Sequence, residues 1–192
     1  MKTIEQKVIN FIQLNDLIQK KDKLLIALSG GADSVFALHF FYKFKKKFNC
    51  SFSAVHFNHN LRGVESDNDE KFVKNICNSL GIELFIIKLN VRESAKKNKM
   101  SIEEAARELR YFHLNKLAEE NNFTKIVTAH NKNDNTETIL QNLFSGTGIK
   151  GLTGIPIQRG KIIRPILSLE KNEIVDYLTK HKIRFITDSS NF

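Results

Sequence analysis

Residues 29–34 (SGGADS) concentrate the chemistry of the chain. Gly30 and Gly31 let a backbone pass close to an anion and turn successive N–H groups toward it. The hydroxyls of Ser29 and Ser34 add donors. An apolar run of strand length, 24–28 (LLIAL), leads into the loop, and a helical pattern opens at Asp33, which brings a positive helix end to the same spot. This combination specifies a phosphate cradle, with a tight turn as the plainer account of a glycine pair after a strand. Asp33 is acidic where phosphate is expected; it either caps the helix or helps hold Mg²⁺ against the phosphates. The loop lacks both GxxxxGK followed by Ser or Thr and GxGxxG, which argues against a simple kinase, a GTPase or an NAD enzyme.

Further polar residues fall where the same rim should lie. His56, His59 and Arg62 follow a second strand-like run. A satisfied core imidazole accounts for His56 and a solvated loop for the other two, whereas the donor fork of Arg62 suits a phosphate. Arg107 and Arg110 lie three apart, on neighbouring parts of one helix face. Arg107 stands close to the apolar stripe, which calls for an anion: a phosphate or a structural carboxylate. Tyr111 is placed to stack or to pack. His130 ends a fourth strand-like run, with Asp134 and Glu137 one turn apart at the next helix start. Such a carboxylate pair can grip an ammonium group; helix capping is the plainer reading of Asp134, and solvent exposure that of Glu137. The histidines match no zinc-ligand spacing.

The elements that must position these groups alternate. Ile4, Val8, Phe11, Ile12 and Ile18 recur at helical period, so the first twenty residues predict an amphipathic helix within a lead-in over 1–22. Strands are expected at 24–28, 51–56, 84–89, 125–128 and 161–163. Helices are expected at 33–47, 67–80, from Ser101 onward, at 134–144 and at 170–180. Residues 57–63 read as a polar loop, Gly81 as a helix C-cap, and Ser101 with Glu104 as a capping box. The stretch 145–154 (SGTGIKGLTG) is a glycine-rich turn, Pro165 fixes a non-helical turn after Arg164, and 185–187 is a short extended piece. Strands alternating with long helices predict one doubly wound α/β domain over 1–192, with a mostly parallel five-stranded sheet and helices on both faces. Ligands of such sheets sit beyond the carboxyl ends of the strands, which places the 29–34 loop at the site.

The 192 residues are 41% hydrophobic and 27% charged, a composition that excludes disordered, collagenous and repeat classes. The net charge of +9 favours a polyanionic partner, although the basic run 43–48 (KFKKKF) is equally explained as the end of a helix. Cys50 and Cys77 form no CxxC pair and are expected as buried, reduced thiols. No apolar run approaches the roughly 20 residues that span a membrane, and charge interrupts the start too early for a signal peptide. A cytoplasmic or organelle-interior enzyme is the expectation; oligomeric state stays open.

SGGADS resembles the PP-loop SGGxDS of ATP pyrophosphatases, which cleave ATP between its alpha and beta phosphates. Within them the chain resembles the tRNA(Ile)-lysidine synthases along nearly its whole length. That resemblance rests on residues 54–63 (AVHFNHNLRG) with Ser66 and Asp69 after them, 101–111 (SIEEAARELRY) and 128–138 (TAHNKNDNTET). It continues in 146–155 (GTGIKGLTGI), 163–167 (IRPIL) and 188–191 (DSSN). The PP-loop alone would fit thiouridine-forming and other relatives equally; the ordered set is more specific. The resemblance implies a Rossmann-like, adenine nucleotide alpha hydrolase-like fold that uses ATP and Mg²⁺. It also implies a reaction in which ATP adenylates C2 of the wobble cytidine of a CAU-anticodon tRNA(Ile) and free L-lysine then displaces AMP.

Carried onto this chain, Ser29, Gly30, Gly31, Ala32, Asp33 and Ser34, with His56, Arg62 and Arg110, would hold ATP. Asp33 and Asn133 would face Mg²⁺, and Asp33, Arg107, His130 and Asp134 would serve the chemistry. Asp134 and Glu137 would recognise lysine, and the glycine-rich run would stand at the site entrance. Asn133 departs from the family's usual aspartate and keeps an acceptor oxygen without the charge; Asn131 and Asn135 replace its usual histidine and glutamine. The family's C-terminal tRNA-binding region is expected to lie outside these residues. The competing readings are a thiolating relative and a catalytically dead nucleotide- or RNA-binding module.

Overall fold

A computed structural model describes residues 3–61, 63–146 and 153–187. Arg62, Gly148, Gly151 and the 188–191 motif lie outside the described residues. In chain order the elements are α1 Ile4–Leu14, β1 Lys23–Ala27, α2 Ala32–Phe48, β2 Ser51–Asn58, α3 Val64–Leu80, β3 Leu84–Lys88 and α4 Val91–Asn98. They continue with α5 Ile102–Glu120, β4 Lys125–Val127, α6 Lys132–Phe144, β5 Gln158–Arg159, β6 Ile162–Ile163 and α7 Lys171–Lys180.

The strands form a six-stranded sheet in the order β3-β2-β1-β4-β6-β5, parallel throughout except for the β5–β6 pair. The extra strand relative to the expected five is β5, two residues long and folded back on β6 through Gly160 at φ +58°. A strand this short carries no period-2 signature. The chain builds outward from β1 to β2 and β3, then returns to place β4 on the other side of β1. Strand order therefore reverses between β1 and β4, and a crevice opens at their carboxyl ends.

Both sheet faces are covered, and successive β1 residues alternate between them. Leu24 and Ile26 join one core with Val8, Phe36, Phe41, Val73, Cys77 and Leu178, contributed by α1, α2, α3 and α7. Leu25 joins the other with Val55, Val91, Leu114, Phe123 and Ile126, under α4 and α5. Phe36 meets Tyr177 edge-on at 5.2 Å, fixing α2 against α7.

Other features also differ from the sequence reading, among them α3 and α6, which open at Val64 and Lys132, earlier than expected. The first helix stops at Leu14, because Asn15 closes it and Asp16 turns to φ +49°; Leu17 then packs as a separate buried anchor. β2 runs on to Asn58, taking two residues of the expected polar loop. α4 was unexpected, since only Val91 and Ala95 are buried on an otherwise polar helix. At α5, Ser101 accepts from Glu104 N–H at 3.1 Å and supplies the N-cap. Among the described residues, no helix is long and apolar enough to cross a membrane.

Candidate active site

A cleft of ≈ 1010 Å³ opens at the β1/β4 reversal. Ser29, Gly31, Ala32, Asp33 and Ser34 line it after β1, His56 to His59 at the carboxyl end of β2, and Thr128, Ala129 and His130 after β4. Arg110 and Tyr111 close one side, and Lys171, Phe185, Ile186 and Thr187 another.

The 29–34 loop is tied together by one buried hydroxyl. Ser34 Oγ accepts from Ser29 N–H (3.2 Å) and Gly30 N–H (3.1 Å), and donates to Gly31 O (3.0 Å). Ser29 Oγ lies 3.0 Å from it and accepts from Gly31 N–H at 3.3 Å. The Ser34 hydroxyl is thus committed to the loop itself. The donors that face outward come from the first turn of α2, whose opening N–H groups have no intrahelical partner. Val35 N–H makes the first helical bond, to Gly31 O, at 3.0 Å.

Asp33 sits in that first turn. Burial raises its carboxyl above the usual range, an effect opposed by the nearby Asn131 amide, reinforced by Asp134 and opposed by Lys171. Its Oδ1 is buried without a hydrogen-bond partner. A hard oxygen held in this way fits Mg²⁺. Among the described residues no group of three or more His, Cys, Asp or Glu could hold a metal ion, so a cation here would share Asp33 with phosphate oxygens.

His56 is buried and its Nδ1 lies 2.9 Å from Leu28 O; a carbonyl only accepts, so Nδ1 is the donor. His130 Nδ1 lies 3.2 Å from Thr128 Oγ1. Burial, then the charges of Arg164, Arg110 and Arg107, lower its pKa to about 4, so the ring is neutral at physiological pH. Arg110 is half-buried, and its own pKa is lowered, first by burial. Arg107 is exposed and does not line the cleft; it and Arg110 stand 5.9 and 5.8 Å from the Tyr111 ring centre.

The starts of α6 and α7 meet beside the loop. Asp134 and Asn131 form a reciprocal capping box, at 2.9 and 3.0 Å. Asn133 Oδ1 accepts from Lys171 N–H at 3.0 Å, so this side chain faces α7. Asn135 Oδ1 accepts from Ile155 N–H at 2.6 Å, anchoring the segment that leaves the glycine-rich turn. Glu137 is exposed on α6, outside the cleft lining.

Sequence reasoning missed Lys171. Its signal was a cation in the first turn of a helix, the end that favours acids. Ile186 read only as part of an extended piece, and its partner, Gly30, is more than a hundred residues away. Cys50 and Cys77 lie outside the cleft lining. Their thiols are pushed up to about 11, Cys77 by burial and Cys50 by burial and then Asp22.

Residues 1–192 match the family model described as the PP-loop domain. The chain belongs to this family. This PP-loop domain is 43% identical over 185 residues to the tRNA(Ile)-lysidine synthase of Clostridium tetani, covering 96% of the chain and 40% of that protein. It is 45% identical over 188 residues to the synonymous protein of Bacteroides thetaiotaomicron (98% and 43%) and 39% over 191 residues to that of Chlorobaculum tepidum (100% and 58%). The PP-loop domain therefore spans about two fifths to three fifths of these relatives. Its fold is shared with the U34-tRNA thiolase NcsA from Methanococcus maripaludis, at a TM-score of 0.80 and 20% identity, covering 98% of the chain and 65% of that protein. It is shared less closely with the NH3-dependent NAD synthetase from Campylobacter jejuni, at 0.63 and 21%, covering 94% and 73%.

Proposed function

We propose that this PP-loop domain carries the catalytic centre of lysidine formation on a tRNA(Ile) with a CAU anticodon. The observation behind this reading is a juxtaposition: the phosphate loop after β1 and His130 after β4 line one cleft, with Asp134 outside the lining but close enough to Asp33 to act on its charge, in a chain whose relatives over 96–100% of its length are named as lysidine synthases.

ATP would seat its phosphates on the open N–H groups of Ala32, Asp33 and Ser34, with Gly31 beside them and Lys171 and Arg110 as flanking cations. Asp33, through its unpartnered Oδ1, would hold Mg²⁺, which when bound would supply charge neutralisation as pyrophosphate leaves. The C2 oxygen of the wobble cytidine attacks the alpha phosphorus, and the bond to the bridging oxygen of the beta phosphate breaks. The lysine side-chain amine, deprotonated, then forms a bond to C2, and AMP departs with the oxygen. Asp134, whose Oδ2 accepts from Asn131 N–H, would meet the lysine ammonium together with Glu137 on the same helix. His130 offers an uncharged ring beside the arginines and does not compete with them for phosphate. Asn133, whose oxygen is turned to α7, shapes the site by holding Lys171. Arg107, exposed outside the cleft lining, belongs in this reading to the surface that receives RNA, and the cytoplasm is the compartment that supplies these substrates.

The test is release of labelled pyrophosphate from ATP with Mg²⁺ and CAU-anticodon tRNA(Ile), with and without lysine, and the product nucleoside read by mass. Lysidine formed only with every component present is the expected result. Pyrophosphate release without lysidine would move the defect to Asp134 and Glu137. ATP binding without any turnover would sink the catalytic reading in favour of a binding module.

A further inference from the structure

The 185–187 segment crosses directly against the phosphate loop. Ile186 N–H donates to Gly30 O at 2.9 Å, and Gly31 and Ile186 form a parallel bridge outside the main sheet. Gly30 adopts φ +99° and its α-carbon is pressed between two side chains: a Cβ built there would lie 2.5 Å from Ile186 Cδ1 and 3.4 Å from Val73 Cγ2. Gly30 N–H is already taken by Ser34 Oγ. Both backbone groups of this glycine are therefore satisfied within the protein. Its lack of a side chain answers to Ile186, and the anion-facing donors begin further along the loop.

We propose that the 185–187 segment is a wall of the nucleotide site and that Ile186 is a positioning residue for the phosphate loop. Its amide fixes the carbonyl of Gly30, and its side chain fixes the left-handed bend that aims the start of α2 into the cleft. Phe185 and Thr187 line the same cleft on either side of it, so the segment borders the space that the nucleotide would fill. The inference rests on the reading that this loop receives nucleotide phosphates, but its structural half is measurable without a ligand.

The experiment uses the 192-residue chain with Ile186→Ala, the conservative Ile186→Val, and Ile183→Ala as a control. Ile183, two residues before the segment, packs on the core and does not line the cleft. Amide hydrogen exchange is read by NMR at Ser29, Gly30, Gly31 and Ile186, with thermal stability, and the Mg-ATP dissociation constant is read by calorimetry. In the wild type, the Ile186 amide should exchange at least ~100-fold more slowly than an open peptide. Ile186→Ala should speed exchange at the loop amides by about tenfold or more and weaken ATP about 5- to 20-fold, with Ile186→Val in between. Ile183→Ala should lower stability to a similar degree while leaving both readouts within about twofold.

An unprotected Ile186 amide in the wild type would overturn the proposal even if Ile186→Ala fails to fold. Loop exchange that changes equally in Ile183→Ala and Ile186→Ala would reduce Ile186 to ordinary packing and overturn it too. A wild type that shows the exchange pattern but binds no Mg-ATP would sink the nucleotide reading and leave the positioning of the loop standing.

Discussion

Asp33→Asn separates stability from activity at a single carboxyl. Burial raises the pKa of Asp33, so the folded state resists the charge that the unfolded chain readily takes up. Between the two pKa values unfolding releases a proton, so this group's contribution to stability is whole below the unfolded carboxylate range and is lost as pH rises from there through the raised folded value. The amide variant should melt higher than wild type at pH 7, with a smaller difference at pH 3, while pyrophosphate release drops by about 100-fold or more; calorimetric melts at the two pH values and the release assay check both halves. The sign is opposite for His130, whose pKa is lowered to about 4. Below about 6.5 the unfolded imidazole takes a proton that the folded one refuses, so its contribution to stability declines from there toward pH 4. An NMR titration should place the His130 midpoint near 4 in the intact protein. Ser34→Ala removes the hydroxyl that gathers two loop amides and Gly31 O. The expected cost is about 1–3 kcal/mol of stability, read by denaturant titration. The loop and its chemistry were legible in the sequence because SGGADS is contiguous. Lys171 and Ile186 were not, because only the folded chain carries the 170s and 180s back to β1.

At the scale of elements, the alternation of strands and long helices was readable because each long helix repeats its apolar residues over several turns. α4 and β5 escaped because their signals are two buried residues and two paired residues. Ser101 was read from its type and its distance to Glu104, and its hydroxyl does cap α5. Ser101→Ala should cost about 1 kcal/mol, lowering the melting midpoint by roughly 2–4 °C in a chain of this size, with little effect on the cleft, which α5 reaches only at Arg110 and Tyr111. Asn133 shows the limit of carrying roles over by resemblance. The family's motif would place it at the metal, yet the first turn of α6 turns its oxygen onto Lys171 N–H.

For the whole molecule, the +9 charge is spread unevenly with respect to function. Lys45, Lys46 and Lys47 close α2, a 17-residue helix whose other end is the phosphate loop, so they stand about 20 Å from the cleft. Replacing all three with Gln should change RNA-dependent pyrophosphate release less than about twofold at physiological salt. Arg110→Gln, inside the cleft, should lower it by about 100-fold; both are read in the same steady-state assay. The crevice itself arises because the chain leaves β1 in one direction and returns to it from the other. It is a product of routing, so side-chain substitutions can strip the site of its chemistry without closing it. A descendant that had lost Asp33 and Arg110 would keep the hollow, and across such chains the surviving capacity to bind nucleotide would say little about the capacity to turn it over.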